Sequence, residues 1–124
     1  MSHIILSVLI AGLLPIVCAG IAKWGVKNYD NHNPRAWLAV QEGHRARANA
    51  AQQNSFEAFP LFAAGVVLAL VREVDTTAVA QCCWFFVLMR VLYIYSYVAD
   101  RATLRSVVWS LGLAAVIRLF VLAM

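Results

Sequence analysis

NSFEAFPLFAAGVVLALV, residues Asn54–Val71, is the stretch whose reading decides the fold. After Glu57 it runs to Val71 without a single polar side chain, and its only backbone breakers are Pro60 and Gly65. An amphipathic helix of a soluble protein keeps one polar face, so a run that is apolar on every face belongs in lipid or in a large core. Extended back to Ala51, the run reaches the roughly 20 residues that cross a hydrocarbon layer of about 30 Å. The residues before it differ. Arg35 to Ala50 carries Arg35, Glu42, His44, Arg45 and Arg47, a segment for water or headgroups. Because a helix rises about 1.5 Å per residue, one helix over 35–71 can begin outside the bilayer and finish across it. Pro60 is compatible with it, since neighbouring helices satisfy the freed carbonyl.

Working outward, three more spans appear. The first covers about 4–24, interrupted only by Ser7, Gly12, Pro15, Gly20 and Lys23. It reads as a retained helix, because no basic segment precedes it as in a signal peptide. Asn28–Pro34 is a turn, with Asn33 as cap and Pro34 at the first position of the second helix. Arg72–Asp75 is a tight connection, and Asp75 or Thr76 caps a third span over about 77–98. Asp100–Arg105 forms the next turn, and the last span runs over 106–124. The fold class predicted is an all-α integral membrane protein, a four-transmembrane-helix bundle forming one domain over 1–124. Composition agrees: 63% of the residues are hydrophobic and 13% charged, against about half and a quarter in soluble domains. The net charge of +4 comes from helix ends and not from a basic tract, which argues against nucleic acid as a partner. Lys23, Lys27, Arg35, Arg45, Arg47, Arg101 and Arg105 crowd the first and third connections, whereas the second holds Arg72 alone. Positive residues favour the cytoplasm, so those two connections are expected there and both termini on the opposite side.

Ionisable residues inside the spans are Glu57, Arg90 and Arg118, with Asn54 as an uncharged companion. Arg47, Asn54 and Glu57 are seven and three positions apart, on one helix face, while Arg90, Tyr93 and Tyr97 form a second stripe. Two readings follow: Glu57 and Arg90 neutralise each other to hold two helices in register, or the stripes face each other across a ligand pocket. Arg118, near the C-terminal end of its span, is expected to snorkel to the far headgroups. Cys18, Cys82 and Cys83 read as packed apolar residues. Trp24, Trp37, Trp84 and Trp109 read as an interfacial belt. The dispersed His3, His32 and His44 offer no metal-ligand spacing.

The run Asn54-Ser-Phe-Glu57-Ala-Phe-Pro60-Leu-Phe62, with Arg90-x-x-Tyr93-x-x-x-Tyr97 and Leu104-Arg105-Ser106-Val107 following in order, resembles the MAPEG family of membrane-associated proteins in eicosanoid and glutathione metabolism. The resemblance implies a homotrimer of four-helix subunits with glutathione as co-substrate, held between subunits near the cytoplasmic face. It implies that Arg47, Asn54, Glu57, Tyr93 and Tyr97 bind the peptide and that Arg105 approaches its sulfur as the catalytic residue. Glutathione carries two carboxylates and an ammonium, so cations, a carboxylate and amide partners suit it. A guanidinium beside the thiol would favour the reactive thiolate. The chain departs from the family pattern at Ala50, where an arginine is common, and at Ala58, where a tyrosine can stand.

The expected function is a membrane-bound glutathione-dependent transferase or peroxidase acting on lipophilic electrophiles. The alternative is a non-catalytic MAPEG-like protein that binds lipid or a partner protein. A small four-helix multidrug transporter is a third reading, but such proteins carry their coupling acid in the first helix, which here has none.

Overall fold

The computed structural model describes residues 1–124 and contains five helices: α1 (Ser2–Lys23), α2 (Pro34–Ala39), α3 (Gly43–Val71), α4 (Thr76–Val98) and α5 (Ala102–Ala123). All but α2 are long and apolar enough to cross a membrane. α3 and α4 form a central pair, and α1 and α5 each pack against both of them.

The single helix expected over 35–71 is in fact two. Val40 closes α2, Glu42 is extended (φ −122°, ψ 174°), and α3 begins at Gly43, whose φ is +59°. Only glycine takes that left-handed conformation without strain from a Cβ. The break falls in the polar segment, where no apolar periodicity marks continuity, so Gly43 was its only signal. α2 ends a small aromatic knot: Trp37 meets Tyr29 edge-on at 5.1 Å, and the Lys23 ammonium lies 4.5 Å over the Tyr29 ring. Asn33 does occupy the capping position, but it makes no side-chain cap. The turn is held one step earlier, where Asp30 Oδ1 accepts from the amides of His32 (2.8 Å) and Asn33 (3.3 Å).

The last span also begins earlier than the expected 106, at Ala102. The reason is a compact reversal. Asp100 adopts φ +60°, its amide donates to the Tyr97 carbonyl, and the Arg101 amide donates to the Ser96 carbonyl at 2.7 Å. The α3–α4 turn repeats the device, with Glu73 at φ 56° and the Val74 amide donating to Ala69. Both are Schellman closures made without the usual glycine. Asp75 caps α4, accepting from the Ala78 amide at 2.9 Å.

These turns set α3, α4 and α5 antiparallel in succession. Arg45 Nη1 donates to the carbonyls of Ala22 (2.8 Å) and Trp24 (3.0 Å), bringing the end of α1 to the start of α3. One end of the bundle therefore carries the α1–α3 and α4–α5 connections, and we call it the basic end. The other carries the α3–α4 turn and both termini.

Two apolar cores fill the interior. The larger lies toward the termini and centres on Phe62 stacked on Phe86 (ring centroids 4.1 Å apart), with Val66, Val79, Val116 and Leu119. The smaller lies toward the basic end, around Leu14, Cys18, Ala51, Met89 and Ile94. At Gly65 an added Cβ would meet Phe120 at 3.0 Å and Leu119 at 3.3 Å, so the absence of a side chain is what lets α3 and α5 approach. All three cysteines are unpaired and buried. Outside the cores, large apolar side chains cover every face, among them Ile5, Leu9, Ile16, Val67, Leu88 and Ile117. Water would not tolerate so continuous an apolar surface, whereas lipid solvates it at no cost. This is an integral, multi-pass membrane protein.

Candidate functional site

Asn54, Glu57, Arg90, Tyr93, Tyr97 and Arg105 gather on the side of the central pair where α5 meets α3. Arg90 is the hub. Only 4% exposed, it reaches from α4 to α3 and grips two adjacent residues. Its Nη1 donates to Asn54 Oδ1 and its Nη2 to Ser55 Oγ, both at 3.0 Å. Ser55 Oγ in turn donates to the Ala51 carbonyl at 2.8 Å. The Arg90 guanidinium also lies 4.3 Å over the Tyr93 ring, an additional stabilisation for a desolvated cation. Arg90 and Glu57 do not pair, contrary to the neutralisation considered from the sequence. The ion pair within the chain is Arg47 with Asp100, at 4.0 Å. Because Arg90 occupies Asn54 Oδ1, the amide Nδ2 is turned toward Glu57 Oε2, 3.5 Å away.

An aromatic ladder continues toward the basic end. Tyr93 meets Tyr97 edge to face at 5.6 Å, and the Arg105 guanidinium lies 4.3 Å over the Tyr97 ring. Two guanidiniums thus bracket two phenol rings along one line. The start of α5 supplies Arg105 because the compact Asp100 turn folds it back over the last turns of α4.

Two clefts open on this ladder. One, of about 210 Å³, is lined by Asn54, Glu57 and Arg90 at its polar end and by Leu61, Phe86 and Val116 deeper in the bundle. The second, of about 390 Å³, is lined by Tyr93, Arg105, Ser106, Trp109 and Ser110. Trp109 is a wall of both. The sequence reading placed Trp109 in the interfacial belt; its position one turn from Arg105 was the available signal. Ser55 was missed because it lies about 100° around the helix from Asn54, off the stripe that spacing defines. Gly112 lines the first cleft as well, at a point where α5 packs against Met89 and Phe86 of α4.

Of the six residues singled out in the sequence, Asn54 and Glu57 line the first cleft, Tyr93 and Arg105 the second, and Tyr97 stacks on Arg105. Arg47 lines neither cleft. Its Nε donates to the Val98 carbonyl at 3.1 Å, closing the end of α4. Of the two departures from the family pattern, Ala58 lines the first cleft and widens it.

The arrangement offers an acceptor carboxylate, an amide donor and a cation at one level, a second cation further toward the basic end, and an apolar recess on the opposite side. The sequence profile of the MAPEG family matches residues 3–124, essentially from end to end. The chain belongs to the MAPEG family. A comparison with curated proteins finds no match. Family membership makes it one of the membrane proteins related to glutathione and eicosanoid metabolism.

Proposed function

We propose that the protein is a glutathione-dependent transferase or peroxidase whose second substrate is a lipophilic electrophile. The observation that carries this reading is the line Arg90–Tyr93–Tyr97–Arg105 beside the Asn54–Glu57 cleft. Glu57 would accept the ammonium of glutathione, and the Asn54 amide donor and Arg90 would face a carboxylate. Tyr93 and Tyr97 would hold the peptide. Arg105 would lower the charge cost of the thiolate, which then forms a carbon–sulfur bond while the leaving group departs with the bonding pair. The apolar recess around Leu61, Phe86 and Val116 suits a substrate that enters sideways from lipid.

Glu57 is exposed in the single chain, yet lies within the span. A carboxylate facing hydrocarbon is costly, so this face calls for a cover. We assign that cover to neighbouring copies in a homotrimer, with the basic end in the cytoplasm.

The test is calorimetric and spectroscopic. Purified protein should bind glutathione at millimolar or tighter concentrations and show thiolate absorbance in the near ultraviolet at neutral pH. Arg105→Leu should abolish that absorbance and slow conjugation of an aromatic halide by about 10²-fold, leaving affinity within a few-fold. Binding without a thiolate signal would defeat the catalytic role of Arg105. No binding at all would favour a non-catalytic lipid- or protein-binding role, the reading that the engagement of Arg47 by Val98 supports.

A further inference from the structure

Arg118 lies on α5 in the half of the bundle away from the basic end, exposed, and makes no hydrogen bond or ion pair with the rest of the chain. It belongs to a groove of about 310 Å³ between α4 and α5, lined by Gln81, Cys82, Phe85, Ala114, Ala115 and Arg118. This groove is distinct from the clefts above: on α5 it uses Ala114, Ala115 and Arg118, whereas the first cleft uses Trp109, Gly112, Leu113 and Val116.

Its polarity has a direction. α4 and α5 are antiparallel, and Gln81 and Arg118 each stand five residues from their helix end, about 7.5 Å below it. Phe85 and Ala114 stand four residues further in, about one turn deeper. The groove is therefore polar outward and apolar inward, with buried Cys82 and Ala115 as its floor. An extended arginine spans the distance from that depth to the level of lipid phosphates. A cation in hydrocarbon needs an anion or water at its head. Of the chain's acids, Asp30, Glu42, Glu57, Glu73, Asp75 and Asp100, Glu73 and Asp75 stand at this end of the bundle in the α3–α4 turn, but neither lines the groove or pairs with Arg118. In a parallel assembly, where every copy sits at the same depth, a second copy brings to this end only the same two turn acids, of which Asp75 is already engaged as the cap of α4.

We infer that this groove is a phospholipid site, in which Arg118 and Gln81 hold the phosphate of an anionic lipid and an acyl chain lies along Phe85, Ala114 and Ala115. The cation neutralises the phosphate, the amide supplies a neutral donor, and the small alanines make room for the chain. The site stands independently of the glutathione reading.

Native mass spectrometry tests it. Full-length protein is taken from nanodiscs of equal phosphatidylglycerol and phosphatidylcholine, and the lipid retained after detergent exchange is counted. The wild type should keep phosphatidylglycerol in preference, and Arg118→Gln and Gln81→Leu should each cut that preference about fivefold. Arg118→Lys should keep part of it. Arg101→Gln, which removes a cation at the other end, should leave it intact, as judged on proteins with unchanged thermal unfolding. Three results would overturn the site: retention unaffected by Arg118→Gln, equal loss in Arg101→Gln, or displacement of phosphatidylglycerol by oleate at equal concentration, which would mean a carboxylate site. An altered oligomeric state in Arg118→Gln with unaltered lipid would overturn it too, by showing that a second copy covers the groove.

Discussion

Arg90 shows how a charge is kept inside this bundle. Its partners are neutral: an amide oxygen, a hydroxyl and the face of a phenol ring. Hydrogen bonds from a charged donor are worth about 1.5–3 kcal/mol each, so the fork ties α4 to α3 firmly while Glu57 stays available in the cleft. Spacing alone made Glu57 the obvious counter-ion. What spacing could not reveal is that a planar guanidinium has the width to bond consecutive residues, Asn54 and Ser55, that point in different directions. A double-mutant cycle distinguishes the two arrangements. Arg90→Met and Asn54→Leu should couple by at least about 0.5 kcal/mol in unfolding from detergent micelles, because they share a bond. Arg90→Met and Glu57→Gln should come closer to additivity. Stronger coupling to Glu57 than to Asn54 would restore the ion pair.

The elements are joined at their ends by arginines from one helix. Arg45 serves the last carbonyls of α1 and Arg47 the Val98 carbonyl of α4. Arg72, just past the end of α3, donates through Nε to Ala123 of α5 at 3.1 Å. Each thus meets the C-terminal end of a neighbouring helix, where carbonyls lack partners and the helix dipole is negative. α3 is in this sense the frame on which the others are closed. The sequence reading explained the same residues by orientation and, for Arg47, by ligand binding. Orientation depends on charge near the membrane face, and helix closure on reach, so one arginine can serve both. Arg45→Ala should open the last turn of α1. Deuterium uptake over 21–26 should rise several-fold, as expected for losing about 1 kcal/mol of local protection, while uptake over 4–13 stays unchanged. Equal uptake in the two proteins would show that the cap contributes nothing.

For the whole molecule, the asymmetry of charge between the two ends sets the expectation for insertion. In a background lacking Cys18, Cys82 and Cys83, single cysteines at Asn31 and at Arg101 should react with an impermeant maleimide from the cytoplasmic side. One at Ser2 should react only from the other side. Labelling of Ser2 and Asn31 from the same side would be incompatible with an odd number of crossings between them. The exposure of Glu57 belongs to this scale as well, because a face that is costly in lipid is what an assembly would cover.

The four spans and the family were legible in the chain itself, and the cap of α4 was narrowed to Asp75 or Thr76. Hydrocarbon thickness and hydropathy act through runs of about 20 residues, and a signal carried by so many positions survives local exceptions. The break at Gly43 was not legible, because a lone glycine in a polar segment carries no periodic signal. The reversals after α3 and α4 were expected where they fall, but not their closure on Glu73 and Asp100, since a left-handed conformation is one that Glu and Asp seldom adopt. The stripes on the second and third spans brought Asn54, Glu57 and Arg90 to one cleft, since spacing determines which residues share a face, while the wall that α5 supplies through Trp109 lay outside them. Which partner each one meets was decided only by tertiary packing. The rotation of α4 against α3 gave Arg90 to Asn54 and Ser55, and the short turn before α5 laid Arg105 on Tyr97. Helix periodicity carries no information on the rotation of one helix against its neighbour; close packing between them determines it.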